Sequence, residues 1–313
     1  MTELIDVFRG NANTWECDEN GHLNVRHYSS KVNEGLAVLA HRIGLGRDAL
    51  AALGARLVMK DQHIRYLREF HPGAAVLGRA GVLSVEGARL RLYCELVNFH
   101  TDGVSATYNS VLELQDASTG ALVALPAEIA SVAGDLIVKL PKHAQPRSID
   151  IDAPSVAAVN PPKLDETEAM GMTEIGIGQV GVRDCDQDGF MRSDMYMGRI
   201  SDAIVHFSRK MRPVDTGKER SLSKYGGAVL EYRLHYHGEL RIGDLISVRS
   251  ALKHVGEKAN TLAHWIYNAT TGDLVCSSEA VAITLDLKER KVVSMPEDRR
   301  KHLETLVVPG VGA

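Results

Sequence analysis

Residues 183–196 read RDCDQDGFMRSDMY, and residues 14–28 read TWECDENGHLNVRHY. Taken alone, the later stretch looks like the start of a calcium loop, with Asp184, Asp186 and Asp188 at alternating positions ahead of Gly189. Such a loop closes with a glutamate at its twelfth position. Counted from Asp184 that position is Met195, and the ninth is the cation Arg192. The earlier stretch alternates Glu16, Asp18 and Asn20 and has His27 where the closing glutamate belongs. What the two share is a frame and not a ligand set: Cys17 falls on Cys185, Asp18 on Asp186, Gly21 on Gly189 and Tyr28 on Tyr196, all at one spacing. The pattern therefore reads as an acidic turn entering a helix, without a metal.

Working outward, the frame continues. Tyr66 falls on Tyr236, Glu69 on Glu239, Gly73 on Gly243, Asn98 on Asn268, Asp116 on Asp286 and Pro126 on Pro296, in a register two residues longer than that of the loops. Ordered matches at two adjacent registers indicate a duplicated unit. Residues 141–171, with Pro141, Pro146, Pro154, Pro161 and Pro162 and no sustained periodicity, read as a connector. The expected organisation is an N-terminal domain over 1–140, a linker over 141–171 and a C-terminal domain with a tail over 172–313. The linker is long enough for the two copies to lie side by side as a built-in pseudo-dimer.

Within each copy the periodicity predicts one long helix followed by strands. Tyr28, Val32, Leu36, Leu39 and Ile43, and later Tyr196, Ile200, Ala203, Ile204, Phe207 and Met211, recur at helical spacing. Helices are expected over 24–43, stopped by Gly44 and Gly46, and over 194–211. The stretch ARLRLYCELVNF alternates Leu90, Leu92, Cys94 and Leu96 with Arg89, Arg91, Tyr93 and Glu95, as a half-buried strand does, and NTLAHWIYNA holds its place in the second copy. One long helix per copy cannot cover many parallel crossovers, so the fold class is α+β with antiparallel sheets.

The chain has 313 residues, 44% of them apolar and 24% charged, enough for two globular domains. A net charge of −4 offers no bulk attraction to nucleic acid or anionic membrane. Its four cysteines lack zinc-ribbon spacing, the opening MTELIDVFRGN lacks a charged head and apolar run, and no apolar stretch is long enough to insert into a membrane. These features point to a cytoplasmic protein.

The aspartate, the short glycine turn, GHLN and the tyrosine opening the helix resemble the hot-dog-fold acyl-CoA thioesterases, in particular the 4-hydroxybenzoyl-CoA thioesterase-like group, and DCDQDG resembles a variant of the same motif. The resemblance spans residues 3–134 and 172–300. It implies a tandem duplicated hot-dog fold, each unit an antiparallel sheet wrapped around a central helix, paired, with the thioester held at their interface. It implies hydrolysis of a small or medium acyl group carried by coenzyme A or an acyl-carrier protein, and a homo-oligomer of pseudo-dimers is left open. It also places the catalytic carboxylate on Asp18 and on Asp186, and the backbone N–H that polarises the thioester carbonyl near Val25 and near Ser193. Gly21 and Gly189 let the chain reverse between acid and helix.

The chemistry of such a segment fits, because hydrolysis needs a base on one side of the carbonyl and an oxyanion donor on the other. It calls for no cofactor. His22 is a candidate for the same site in copy one, where copy two has Phe190, and Asn24 gives way to Arg192. The copies are therefore expected to be inequivalent. Tyr28 and Tyr196 read as packing residues, Glu34 and Asp202 as reserve carboxylates on the helices, and Glu69 and Glu239 as solvent-facing acids. Arg183, Arg192, Arg199 and Lys210 read either as phosphate contacts or as a solvated face. Two alternatives remain beside hydrolysis. One is a non-catalytic acyl-thioester-binding protein, suggested by the decay of the motif in copy two. The other is a hot-dog hydratase or dehydratase, whose Asn-Pro element is absent.

Overall fold

A computed structural model of the chain describes residues 3–159, 161–211, 225–286, 288–289 and 291–313. It divides into two compact units, Met1–Pro146 and Arg147–Ala313.

The first unit runs β1 (Ile5–Asn11), α1 (Val25–Arg42), α2 (Arg47–Ala52), β2 (Ala55–Tyr66), β3 (Ala75–Glu86), β4 (Arg89–Asn98), β5 (Gly103–Asp116) and α3 (Ala127–Asp135). Its strands lie in the order β1-β3-β4-β5-β2, every neighbouring pair antiparallel. The α1 stripe read from the sequence is the buried face: Tyr28, Val32, Leu36 and Leu39 are at most 4% exposed. That face packs on β1, β3 and β4. Asn24 caps the helix by accepting the Arg26 N–H on its side-chain oxygen at 3.0 Å, and Ile43 closes it ahead of Gly44.

The second unit runs α4 (Val156–Val159), β6 (Thr173–Gln179), α5 (Ser193–Lys210), β7 (Tyr225–Tyr236), β8 (Leu245–Val255), β9 (Ala259–Asn268), β10 (Asp273–Asp286), β11 (Lys291–Val292) and α6 (Glu297–Glu304). Its order, β6-β8-β9-β10-β7 with β11 on β10, repeats that of the first unit strand for strand. Even the irregularities recur. The first strand of each unit slips register at the same point, between Asp6 and Phe8 and between Glu174 and Gly176. Each unit is thus a helix laid on an antiparallel sheet, as the resemblance implies.

One expectation needs correction. In β4 the second face is solvated only at its start, where Arg89 is exposed and Arg91 half-buried; Tyr93 is fully buried and Glu95 nearly so. The Tyr93 hydroxyl donates to Glu95 Oε2 at 2.7 Å, and His143 Nε2 lies 3.1 Å from the same oxygen. A buried carboxylate is tolerable only when partnered in this way. The equivalent face in β9 carries Ala263 and Trp265, which pack with Met172, Val308 and Val311, while Trp265 Nε1 donates to the Gly312 carbonyl at 2.8 Å.

The segment read as a connector has bonded structure as well. Glu231 accepts the N–H groups of Arg147 and Ser148 at 2.9 and 2.8 Å, and Arg233 donates to the carbonyls of Asp150 and Ala153 at 2.7 and 2.8 Å. Among the described residues no helix is long and apolar enough to cross a membrane.

Candidate active site

In the first unit a single 3-10 turn, Thr14–Glu16, delivers the chain to Cys17, which bridges to Leu23. Between them residues 18–22 fold tightly back. Asp18 N–H donates to the His22 carbonyl at 3.0 Å, Gly21 N–H to the Asp18 carbonyl at 3.0 Å, and Asn20 N–H to Asp18 Oδ1 at 2.8 Å. Gly21 has φ 78°, a left-handed conformation that a side chain would strain. Leu23, fully buried, pins the loop to the sheet by donating its N–H to the Phe70 carbonyl at 2.8 Å.

The turn presents Asp18 and His22 together. His22 Nδ1 lies 3.6 Å from Asp18 Oδ2, and His22 Nε2 lies 3.5 Å from Glu69 Oε1. The imidazole therefore stands between two carboxylates. The side chains of Asp18 and His22 are 18% and 21% exposed, sheltered yet reachable. Glu69 is exposed, as read from the sequence, and the turn after β2 also brings it to the loop. Its match with Glu239 was the available signal, but nothing local in the sequence tied it to His22.

The helix start lies just beyond. Arg26 N–H is taken by the Asn24 side chain and His27 N–H by the Asn24 carbonyl, whereas Val25, at the first helical position, has no intrahelical acceptor for its own N–H. No acidic residue occupies the first turn of α1, so its positive end is not locally neutralised.

A second feature that sequence reasoning missed braces this loop. Lys31, buried on α1, donates to both Glu16 oxygens at 2.8 Å, and Asn13 N–H donates to Glu16 Oε2 at 2.9 Å. Burial pushes the Glu16 carboxyl up, but the bonds from Lys31 and Asn13 outweigh it and hold the group below the ordinary glutamate range. The thiol of Cys17 is pushed the other way, up, by burial and by the charges of Asp18 and Glu16, which disfavours a thiolate nucleophile.

The second unit repeats the scaffold and loses the cluster. Arg199 donates to Asp184 Oδ2 at 2.6 Å, and Gly181 N–H to the same oxygen at 2.8 Å, in the places of Lys31 and Asn13. Asp186, exposed, accepts the N–H groups of Asp188 and Phe190 on Oδ1 at 2.9 and 3.0 Å, so its carboxylate holds its own turn, which Gly189 completes at φ 81°. Where His22 stands in copy one, Phe190 lies under the Arg241 guanidinium at 4.1 Å.

The helix entrance differs too. Buried Asp194 sits in the first turn beside Ser193 and binds Arg192 at 3.2 Å, so the acid absent from the first turn of α1 is present here. Arg192 also donates to the carbonyls of Arg183 and Cys185 at 3.1 and 3.3 Å. Arg192 and Arg199 are therefore parts of the loop's internal bonding. The oxygens of Asp184 and Asp186 serve the turn in the same way, and among the described residues no group of three or more His, Cys, Asp or Glu is placed to hold a metal.

Tyr28 and Tyr196 have the packing role read from the sequence. Phe70 N–H donates to the Tyr28 hydroxyl at 2.9 Å and Leu240 N–H to that of Tyr196 at 3.2 Å, and each ring meets Tyr66 or Tyr236 edge to face. Glu34 and Asp202 are exposed on their helices, and neither is brought to its loop.

The family model described as the thioesterase-like superfamily matches residues 12–132 and 180–303. No curated protein matches the chain. Among solved structures, a protein assigned as an oleoyl thioesterase from Lactobacillus plantarum aligns over 91% of this chain and 97% of its own, with TM-score 0.67 and 14% identity. A 12:0-ACP thioesterase from Umbellularia californica aligns over 90% and 94%, with TM-score 0.66 and 10% identity. An acyl-ACP thioesterase from Bacteroides thetaiotaomicron aligns over 89% and 97%, with TM-score 0.62 and 15% identity. At these identities the likeness is one of fold, the tandem hot-dog fold.

Proposed function

From a chain that belongs to the thioesterase-like superfamily, we propose an acyl-thioester hydrolase that works at the Asp18 loop of the first unit. The substrate class is a small or medium acyl group on coenzyme A or an acyl-carrier protein, and the products are the free acid and the thiol. The observation that carries this reading is His22 held between Asp18 and Glu69, 3.6 and 3.5 Å away, beside a helix start without an acid.

Asp18 takes a proton from a water that attacks the thioester carbonyl. The carbonyl oxygen, negative in the tetrahedral intermediate, accepts the Val25 N–H at the positive end of α1. As the C–S bond breaks, Asp18 passes the proton it took from water to the departing sulfur, while His22, between Asp18 and Glu69, positions the carboxylate. The two spacings are longer than hydrogen bonds, as catalytic contacts often are without substrate. The second unit, with Phe190 in place of the imidazole and two N–H groups of its own turn on Asp186 Oδ1, is read as a non-catalytic partner of the same fold.

The test is thiol release from a panel of acyl-CoA and acyl-carrier-protein thioesters. Asp18→Asn is expected to lower kcat by about 100-fold or more, the usual weight of a positioned base, and Asp186→Asn to leave it within about threefold of wild type. Near-wild-type rates for both single variants and the double variant would overturn the assignment. Hydration of an enoyl-CoA without thiol release would replace hydrolysis with the hydratase reading.

A further inference from the structure

Glu69 follows β2 on a stretch whose backbone is tied on both sides. The N–H groups of Leu67 and Arg68 donate to the Ser105 carbonyl at 2.8 and 3.1 Å, and the Phe70 carbonyl accepts the Leu23 N–H at the end of the Asp18 loop. What joins the two sides is a side chain from α1. The Tyr28 hydroxyl donates to the Arg68 carbonyl at 3.4 Å and accepts the Phe70 N–H at 2.9 Å. One oxygen therefore holds the residue before Glu69 and the residue after it.

Tyr28 is itself firmly seated. It is buried, and its ring centroid lies 5.4 Å from that of Tyr66 and 5.5 Å from that of Phe70. Burial pushes the phenol well above its ordinary range, so the hydroxyl keeps its proton and donates while it accepts. A glutamate side chain has many rotamers and loses that freedom when it meets a partner. A backbone fixed on either side limits where the carboxylate can reach, and the place it takes is 3.5 Å from His22 Nε2.

The second unit keeps the tyrosine without an imidazole for the acid to meet. The Tyr196 hydroxyl accepts the Leu240 N–H at 3.2 Å, next to Glu239, but Phe190 stands in the place of His22. Packing is common to both tyrosines. A contribution through the neighbouring glutamate to a histidine is open to Tyr28 alone.

We propose that Tyr28 is a positioning residue: its hydroxyl fixes the backbone on either side of Glu69 and so holds that carboxylate against His22, which in turn positions Asp18. The effect on catalysis rests on the hydrolase reading of the Asp18 loop, whereas the hold on Glu69 and His22 does not.

The experiment combines thiol-release kinetics with the imidazole ¹⁵N resonances of His22 in the full chain. The variants are Tyr28→Phe, Tyr196→Phe, Glu69→Gln, Glu69→Asp and the double variant Tyr28→Phe with Glu69→Gln. Both tyrosine variants keep the ring and leave a backbone N–H without its partner, so similar falls in melting temperature are expected. Tyr28→Phe is expected to lower kcat about fivefold with KM within about twofold, and to change kcat by less than about twofold in the Glu69→Gln background. It is also expected to move the His22 resonances in the direction that Glu69→Gln moves them. Tyr196→Phe is expected to leave kcat and the His22 resonances as in wild type. Glu69→Asp keeps the charge but shortens the arm, which a fixed backbone cannot make good, so it is expected to lower kcat as much as Glu69→Gln. That arm tests the proposal with Tyr28 in place. The proposal is overturned if folded Tyr28→Phe keeps the wild-type kcat, if its loss is undiminished in the Glu69→Gln background, if Tyr196→Phe lowers kcat equally, or if Glu69→Asp is as fast as wild type. Should the wild type release thiol from no thioester, the hydrolase reading falls and the resonances decide alone: His22 unmoved by Tyr28→Phe would overturn the hold as well.

Discussion

At the scale of the residue, the same fold position takes different work according to one or two neighbours. Asp18 and Asp186 are equivalent in sequence, yet one faces an imidazole and the other has its Oδ1 held by two backbone N–H groups of its own turn. Glu69 touches the site through His22, so Glu69→Gln should lower kcat by about tenfold and leave KM near wild type. His22→Phe, which copies the second unit, should cost more, and steady-state kinetics of the two variants checks the order.

A different histidine governs acid stability. His264 is fully buried with Nδ1 2.6 Å from Ser250 Oγ, and burial pushes it from the ordinary 6.5 down to about 4. Between those values the unfolded chain binds a proton that the folded chain does not. Its contribution is therefore complete above pH 6.5 and is lost as pH falls toward 4. Urea unfolding should lose up to about 3 kcal/mol across that window, and His264→Asn should flatten the slope.

At the scale of the element, each loop is rigid because its helix is bolted to it. Lys31 on α1 and Arg199 on α5 reach back to Glu16 and Asp184, the acids of the preceding 3-10 turns. A cation buried on a helix is costly without its partner. Glu16→Gln should destabilise the protein by about 3 kcal/mol, because it strands the Lys31 ammonium. The double variant Glu16→Leu with Lys31→Met should recover most of that loss, since apolar groups of similar volume can replace a buried pair. Urea midpoints of the single and double variants decide this. A double variant as unstable as Glu16→Gln would overturn the argument that the stranded Lys31 charge causes the loss.

At the scale of the whole molecule, duplication supplied two copies of one scaffold, and on the proposed reading hydrolysis stays with the first. The first keeps a carboxylate-flanked histidine beside a helix start without an acid; the second has Asp194 in that first turn. A non-hydrolysable thioether analogue of the best acyl substrate should accordingly titrate with one site per chain. Asp18→Asn should perturb that binding and Asp186→Asn should leave it unchanged. Two equal sites by calorimetry would contradict the division of labour.

What the sequence by itself determined is everything written in local periodicity or in the spacing between copies. The α1 and α5 stripes, the Gly21 and Gly189 turns, the buried Tyr28 and Tyr196, and the inequivalence of His22 and Phe190 were legible because each depends on neighbours within a few residues or on its own repeat. Glu16 with Lys31, and Asp184 with Arg199, were legible in principle, since both pairs keep charge and spacing across the duplication. Only the tertiary structure decided the rest. Glu69 reaches His22 across 46 intervening positions, and Glu95 is buried with Tyr93 and His143 on one of its oxygens. These contacts follow from strand register and from how a helix seats on a sheet. A hydrophobic period fixes which face of an element is buried, but it leaves open which distant side chain meets it there.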